Sequence, residues 1–318
     1  MSNNLSISKK QLIIVCLVFI VILASIRFYL SVYLPTIGDG ATHALIVENL
    51  IDGTSLPRAN QPLLFYIINA VAFSILGIYK FTPALFGILT VIIVYLYFSS
   101  LFDYKIGLLM GFFTAIHPYH LHFSSLFFTE AILVFLIFTT LFSHIKYIKS
   151  KEFKWLILTG IFLGATVTIK QIGYFMIPIL GLQHLILKFN FRNEFKRTFS
   201  TCFKDLLIIF LVSLIFILPF LGVMYSTTGT IIEPNNYRFN IDKINPQSIK
   251  LLERQGFRFA HLNPALDLKS VIHTYNPSLY YYHRGHFLEV LFIFFSCLLY
   301  TSDAADELDG VDLGGRRI

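Results

Sequence analysis

QLIIVCLVFIVILASIRFYLSVYL, residues 11–34, is a long apolar run near the start of the chain. A helix needs about 20 apolar residues to cross a bilayer, so this run predicts a membrane-spanning helix. Lys9 and Lys10 precede it, which predicts a cytoplasmic N-terminus, and the lack of an obvious cleavage site favours an uncleaved signal anchor. GDGATHALIVENL, residues 38–50, would then lie just outside the membrane, with Asp39 near its start.

The composition extends this interpretation to the whole chain. Of the 318 residues, 56% are hydrophobic and 14% are charged, whereas a soluble domain has about 25% charged residues. The sequence therefore predicts an all-α, polytopic membrane protein. The net charge of +7 is concentrated in short loops, so it indicates membrane orientation and not a nucleic-acid partner.

The last residues, CLLYTSDAADELDGVDLGGRRI (297–318), do not continue the preceding apolar pattern. One choice of codons for Cys297–Asp306 matches a transposon-type sequencing-library adapter, and Val311–Ile318 matches a flow-cell adapter in the same way. We therefore expect 297–318 to be a non-native tail and 1–296 to be one C-terminally truncated transmembrane domain. Without the five acids and two arginines of that tail, the net charge of +7 becomes +10.

Lysine-rich segments orient the remaining spans. HIKYIKSKEFK (144–154) and the basic segment 187–204 predict cytoplasmic loops. Residues 155–188 must therefore cross outward and back, with a turn near Lys170–Gln171. The later predicted segments are an outward crossing at 205–225, a polar external loop at 226–283 and a re-entry at 284–300.

An even number of crossings must separate Asp39 from Glu130 if both lie outside. The first external loop covers about 35–61, in which 41–51 has the spacing of a short helix on the outer surface. Three apolar stretches follow, at 62–79, 83–101 and 106–128. Three single crossings would break the parity, so we expect the shortest stretch, 62–79, to be short, re-entrant or interfacial.

Two acids stand at the outer ends of predicted spans, Asp39 in the first loop and Glu130 in FFTEAIL. Ionisable groups at such positions are rare and usually functional. One acid could take a proton from an acceptor that attacks an electrophilic carbon. The other could orient the acceptor or hold a divalent metal ion, which is the one cofactor that the sequence suggests. Helix capping is the alternative role, since Thr129–Glu130 suits a helix start.

Basic and aromatic residues supply further candidates. Lys170 interrupts GATVTIKQIGYFMIPIL and could hold a phosphate near the outer surface, unless it only snorkels to the interface. His283 and Arg284 could contact a lipid phosphate, although the three tyrosines before them are typical of an aromatic belt. The histidines of HPYHLH (117–122) permit a metal site by their spacing, but a hydrogen-bonded structural role is favoured.

These residues resemble those of the GT-C glycosyltransferases, specifically the dolichyl-phosphate-mannose-protein mannosyltransferase and aminoarabinose-transferase-like superfamily. The resemblance covers about residues 11–190 and rests on the order and spacing of five motifs. They are GDGATHALIVENLIDG, NQPLLFYIINAVAFSILG, FTPALFGILTVIIVYLYFSSLFDYKIGLLMGFFTAIHP, FFTEAILVFLIFTTLF and GIFLGATVTIKQIGYFMIPIL.

The resemblance implies a GT-C-like bundle of transmembrane helices with extracytoplasmic loops. It also implies an inverting transfer of a sugar from a polyprenyl-phosphate-linked donor to a lipid, glycan or protein acceptor, on the extracytoplasmic face of the cell membrane. Asp39 would be the general base, and Lys170 a ligand of the donor phosphate. The predicted site residues are Asp39 and Glu130 as catalytic acids, and His43, Lys170, His283 and Arg284 as substrate ligands.

The sequence departs from the family pattern at three places. Asp39 is followed by Gly40 where the family often has Asp-Glu, NQP stands in place of KPP, and SSLFFTE stands in place of SR…TD. These departures leave the donor sugar and the acceptor open. A transporter or flippase for a lipid-linked or anionic solute is the alternative function. Transporters often show repeated halves, and the sequence shows no internal repeat.

Overall fold

A computed structural model describes residues 9–37, 39–53, 62–188, 195–228 and 246–258. These residues are almost entirely helical, as predicted, with one pair of two-residue strands. In chain order the elements are α1 (Lys9–Tyr33), β1 (Thr36–Ile37), α2 (Asp39–Ile51), α3 (Leu63–Leu76), α4 (Phe81–Leu101), α5 (Tyr104–Ile116), α6 (Pro118–Ser125), α7 (Glu130–Ser150), α8 (Phe153–Ile169), a 3-10 helix (Gln171–Phe175), α9 (Met176–Lys188), α10 (Phe195–Thr228), α11 (Pro246–Arg254) and β2 (Phe257–Arg258).

Several helices are long and apolar enough to cross a membrane. Four such spans lie within the described ranges: Cys16–Tyr33 in α1, Phe81–Leu101, Glu130–Ser150, and Thr201–Val223 in α10. The shorter apolar helices α8 and α9 lie on either side of Lys170, near which the sequence analysis predicted a turn. The prediction of an all-α, multi-pass membrane protein is confirmed.

Side-chain contacts define the two ends of the helix bundle. At one end, Nζ of Lys80 donates a hydrogen bond to the Leu34 carbonyl oxygen at 2.8 Å, so α4 begins where α1 ends. At the other end, Nζ of Lys149 near the end of α7 donates to the carbonyl of Ser100 near the end of α4. α7 therefore begins, at Glu130, at the first end. We call the first end the site end and the second the lysine end.

α3 contacts the site end near its start and just after its end. The Phe127 ring lies 5.2 Å from the ring of Phe65, near the start of α3, and 5.7 Å from that of Tyr79, just after its end. Gly77 ends α3 with a φ of 67°, a left-handed conformation that favours glycine.

α2 is the short helix that the sequence analysis predicted at 41–51. Its residues Ala41, Ala44, Leu45 and Val47 are all fully buried. α3 and α11, which follow later in the chain, cover α2.

The apolar stretch 106–128 consists of two helices, α5 and α6, which are separated at His117–Pro118. The end of a helix leaves backbone carbonyls without intrahelical partners. Arg27 of α1 is fully buried and donates to the carbonyl oxygens of Thr114 and Ala115, each at 3.2 Å. A side chain from the first span therefore caps the end of α5 inside the bundle.

Glycines allow α8 and α10 to pack at backbone distance. A Cβ atom on Gly160 would lie 2.8 Å from the Ile209 carbonyl oxygen, and one on Gly164 would lie 2.6 Å from the Ser213 carbonyl oxygen. Small residues four positions apart are common where membrane helices approach closely. This contact holds α8, and with it the position of Lys170, against a long membrane helix.

Candidate active site

Glu130 and Lys170 form an ion pair at the site end. Nζ of Lys170 lies 2.6 Å from Oε1 of Glu130, while Oε2 accepts a hydrogen bond from the Thr129 hydroxyl at 3.2 Å. The Lys170 side chain is 48% exposed and the Glu130 side chain 20% exposed. Two residues that the sequence analysis singled out separately are therefore in direct contact, and much of the lysine surface remains accessible.

Local structure places both partners of this pair. Glu130 is the first residue of α7, where the helix dipole also favours a carboxylate, so capping and a functional role are compatible. Lys170 follows α8 in an extended conformation, and Gly173 then returns the chain across the end of that helix. A Cβ on Gly173 would lie 2.7 Å from the Val167 nitrogen, so only glycine fits this return.

Asp39 is the first residue of α2. The next residue, Gly40, lies against Phe127, which precedes Glu130 by three positions. A Cβ on Gly40 would lie 3.0 Å from the Phe127 carbonyl oxygen and 2.5 Å from Cγ2 of Thr36. The segments that carry the two predicted acids are therefore in backbone contact. The same contact gives a steric reason why glycine stands where the family often has glutamate.

His43 is held by a residue that the sequence analysis missed. Its Nδ1 lies 2.7 Å from the hydroxyl oxygen of Tyr66 on α3, and its ring lies 5.5 Å from that of Phe65. Tyr66 is fully buried. Because His43 comes four residues after Asp39 on α2, the two residues share one face of that helix. Nothing in NQPLLFY distinguishes Tyr66 from an ordinary core tyrosine.

A second lysine at the site end, Lys80, was also missed. It is only 4% exposed, and its Nζ lies 2.8 Å from the Leu34 carbonyl oxygen and 5.2 Å from the centre of the Phe257 ring. Burial lowers the pKa of Lys80 to about 8. Lys80 therefore belongs to the buried framework of the site end, whereas Lys170 is accessible.

The remaining candidates divide into structural residues and residues outside the described ranges. Nδ1 of His120 lies 2.8 Å from Nη2 of Arg27, and Nδ1 of His117 accepts from the His120 backbone nitrogen at 3.4 Å, as a structural role would require. Within the described ranges, no three His, Cys, Asp or Glu residues are grouped as a metal site. His283, Arg284, the tyrosines before them and the tail 297–318 lie outside the described residues.

Comparison with known proteins supports the family resemblance. The sequence profile of the dolichyl-phosphate-mannose-protein mannosyltransferase family matches residues 12–228. No curated protein sequence gives a significant match.

The fold is similar to that of several solved structures. One is the S. cerevisiae protein O-mannosyltransferase Pmt1–Pmt2 complex bound to the sugar donor, with a TM-score of 0.58 and 20% identity over 70% of this chain and 35% of that chain. Another is the apo form of the Archaeoglobus fulgidus oligosaccharyltransferase, with a TM-score of 0.53 and 20% identity over 66% of this chain and 30% of that chain. The same enzyme in complex with Zn and sulfate matches with a TM-score of 0.56 and 16% identity over 94% of this chain and 40% of that chain. The chain thus spans well under half the length of these proteins, and the likeness shows a common GT-C fold.

Proposed function

We propose that this chain is a membrane glycosyltransferase. The premise is that it belongs to the dolichyl-phosphate-mannose-protein mannosyltransferase family. It transfers a sugar from a polyprenyl-phosphate-linked donor to a lipid, glycan or protein acceptor. The observation that carries the proposal is the Glu130–Lys170 pair, with its 2.6 Å contact, at the end of the bundle where α2 begins with Asp39. The GT-C fold supports an enzyme over the alternative of a transporter or flippase.

Asp39 acts as the general base in this proposal. The acceptor oxygen attacks C1 of the sugar from the face opposite the phosphate, so the transfer inverts the configuration at C1. The new C1–O bond forms while the bond between C1 and the phosphate oxygen breaks. The acceptor proton moves to the Asp39 carboxylate, and the polyprenyl phosphate leaves with the electron pair.

Lys170 binds the donor phosphate and neutralises the charge that develops on it. A fixed cation at the leaving group stabilises the transition state more than the ground state. Because the Lys170 side chain is 48% exposed, a phosphate can reach Nζ while Glu130 holds the lysine from the other side. Glu130 therefore orients Lys170, and a divalent metal at Glu130 would have to displace this ion pair. His43 contributes to binding of the sugar or acceptor from the same face of α2 as Asp39.

The site faces the extracytoplasmic side, with the N-terminus in the cytoplasm. Lysines are enriched in cytoplasmic loops, and Lys149, Lys151 and Lys154 cluster at the turn between α7 and α8. This turn is at the lysine end, opposite the Glu130–Lys170 pair. α1 reaches the site end at Leu34, so it begins at the lysine end.

Transfer can be tested in liposomes with radiolabelled polyprenyl-phosphate mannose and with peptide, glycan and lipid acceptors. We expect Asp39→Asn to lower transfer by about 10²–10⁴-fold, the usual contribution of general acid–base catalysis, without affecting membrane insertion. Asp52→Asn is the matched control, because Asp52 is an exposed acid just after the other end of α2. Wild-type transfer by Asp39→Asn would remove Asp39 as the base.

Two further measurements separate the alternatives. Uptake of a labelled lipid-linked or anionic solute into vesicles, with no sugar transfer, would support a transporter. Transfer that disappears in EDTA and returns with Mn²⁺ would show that a divalent metal is required, contrary to the proposal that Glu130 serves only to orient Lys170.

A further inference from the structure

A short segment from the second half of the chain completes the site end. It comprises Gln255–Arg258 and follows α11, within the loop predicted at 226–283. We call it the clasp. Its strand β2 pairs in parallel with β1, so that Thr36 stands opposite Phe257 and Ile37 stands opposite residue 258. The clasp therefore holds the strand that leads directly into α2 and Asp39.

Hydrogen bonds anchor the clasp to two neighbouring segments. Nε2 of Gln255 donates to the Gly77 carbonyl oxygen at 3.3 Å, and Oε1 of Gln255 accepts from the Tyr79 backbone nitrogen at 3.4 Å, in the turn between α3 and α4. The backbone nitrogen of Thr36 donates to the Gly256 carbonyl oxygen at 2.9 Å. Gly256 has a φ of 81°, a left-handed conformation that glycine adopts at little cost and that turns the chain from α11 into β2.

Phe257 is the central side chain of the clasp. It is fully buried, and its ring meets the rings of Tyr79 and Phe127 edge to face at 5.9 Å and 5.7 Å. Nζ of Lys80 lies 5.2 Å from the centre of the same ring. Aromatic pairs in this edge-to-face arrangement stabilise a contact beyond the burial of the two rings. One side chain therefore contacts both the turn before α4 and the loop before α7.

These contacts connect the two predicted acids through short pieces of chain. The strand partner of Phe257 is Thr36, three residues before Asp39. Its ring partner Phe127 is three residues before Glu130. Each piece is shorter than one helical turn, which has 3.6 residues. We therefore expect a displacement of the Phe257 ring to displace the backbone at both acids.

We propose that Phe257 is a positioning residue for sugar transfer. It sets the distance between the Asp39 backbone and the Glu130–Lys170 pair without contacting the substrate. A misplacement of about 1 Å in an active site can lower the rate by about 10²-fold. The inference rests on the proposed function, and it adds a residue to which neither the family resemblance nor the sequence motifs assign a role.

The test compares Phe257→Leu with a matched variant at the opposite end of the bundle. Phe257→Leu keeps an apolar side chain but loses the aromatic contacts. We expect its kcat to fall at least tenfold while KM for the donor changes less than twofold, because Lys170, which follows α8, binds the donor phosphate. Phe98→Leu is the control, since Phe98 is a buried phenylalanine of α4 that contacts the Tyr97 and Phe138 rings near the lysine end. It should lose similar stability and keep its kcat.

All rates are measured at a temperature at which both variants are folded, as their unfolding midpoints show. Equal losses of kcat in the two variants, or a wild-type kcat for Phe257→Leu, would overturn the proposal. Wild-type protein with no transfer would overturn the proposed function instead, so the two failures are distinguishable.

A disulfide tests the pairing of β1 with β2 directly. In a protein whose native cysteines are replaced, Ile37→Cys and Arg258→Cys occupy opposite positions in the register. Neighbouring strands bring such positions within the Cα–Cα range of about 4.4–6.8 Å that a disulfide needs. We expect the oxidised protein to form the crosslink and to retain transfer. Failure to crosslink, or activity that returns only after reduction, would overturn a fixed positioning role.

Discussion

Replacing Gly40 with alanine adds one methyl carbon where the start of α2 meets Thr36 and Phe127. The new Cβ would lie 2.5 Å from Cγ2 of Thr36 and 3.0 Å from the Phe127 carbonyl oxygen. Carbon atoms in contact are normally about 3.5–4.0 Å apart, so one of the segments must move by about 1 Å. Such overpacking costs about 1–3 kcal/mol of folding free energy. Since the displaced segment carries Asp39, we also expect transfer to fall by about 10²-fold.

The assay compares unfolding midpoints and transfer rates for a matched set of variants. Gly222→Ala is the control, because a Cβ on Gly222 of α10 meets nothing within 4 Å. Alanine is favoured over glycine in a helix by about 1 kcal/mol, so this control should be neutral or slightly stabilising. Thr36→Ser removes only Cγ2 and should be close to neutral alone. Combined with Gly40→Ala, it should recover part of the lost stability and rate, because the contact with Phe127 remains.

Restoring the acid pair that the family often has provides a further check. Gly40→Glu recreates Asp-Glu in the first loop, but its Cβ meets the same two atoms. We expect this variant to lose transfer activity. If only the number of acids in the first loop mattered, its transfer activity would increase. Wild-type stability and rate in Gly40→Ala, or no recovery in the double variant, would refute the steric reasoning.

Three more predictions concern the pairs and the buried lysine at the site end. Glu130→Gln and Lys170→Met, made singly and together, should show a coupling of less than about 1 kcal/mol in unfolding free energy, because the ion pair is partly exposed. Each variant should nevertheless lower transfer at least tenfold. Near-wild-type transfer in either variant would contradict the proposed roles. Tyr66→Phe removes only the hydroxyl that contacts His43 at 2.7 Å. It should change the pH dependence of transfer more than it changes the unfolding midpoint. An unchanged pH profile would argue against a functional His43. Burial lowers the pKa of Lys80 from 10.5 to about 8, so the unfolded state binds its proton more tightly and stability should rise between pH 8 and 10.5. Lys80→Met should abolish that rise in unfolding midpoints measured against pH.

Much of the fold could be predicted because a bilayer imposes long apolar runs and an asymmetric distribution of lysine. The lysines of 144–154 and 187–204 require an even number of crossings between them, which locates the turn at Lys170. The break at His117–Pro118 had a signal in the proline, but the hydropathy of 106–128 as a whole concealed it.

The contacts that build the site could not be predicted, since they join segments that are distant in sequence. Glu130 and Lys170 were each recognised as unusual, but their 2.6 Å contact depends on how α7 packs against α8. Strands of two residues are too short to show an alternating pattern. Arg27 appears in the sequence as one charge in an apolar anchor, and only the carbonyls at the end of α5 explain its burial.

The pairing of β1 with β2 has a consequence for biogenesis. Residue 36 leaves the ribosome long before residue 257, and the whole of α10 is synthesised between them. At about 5–20 residues per second, the delay is roughly 10–45 s. During that interval the nascent first loop lacks its partner strand. The acid-bearing loop therefore reaches its final arrangement only after α10 has been made.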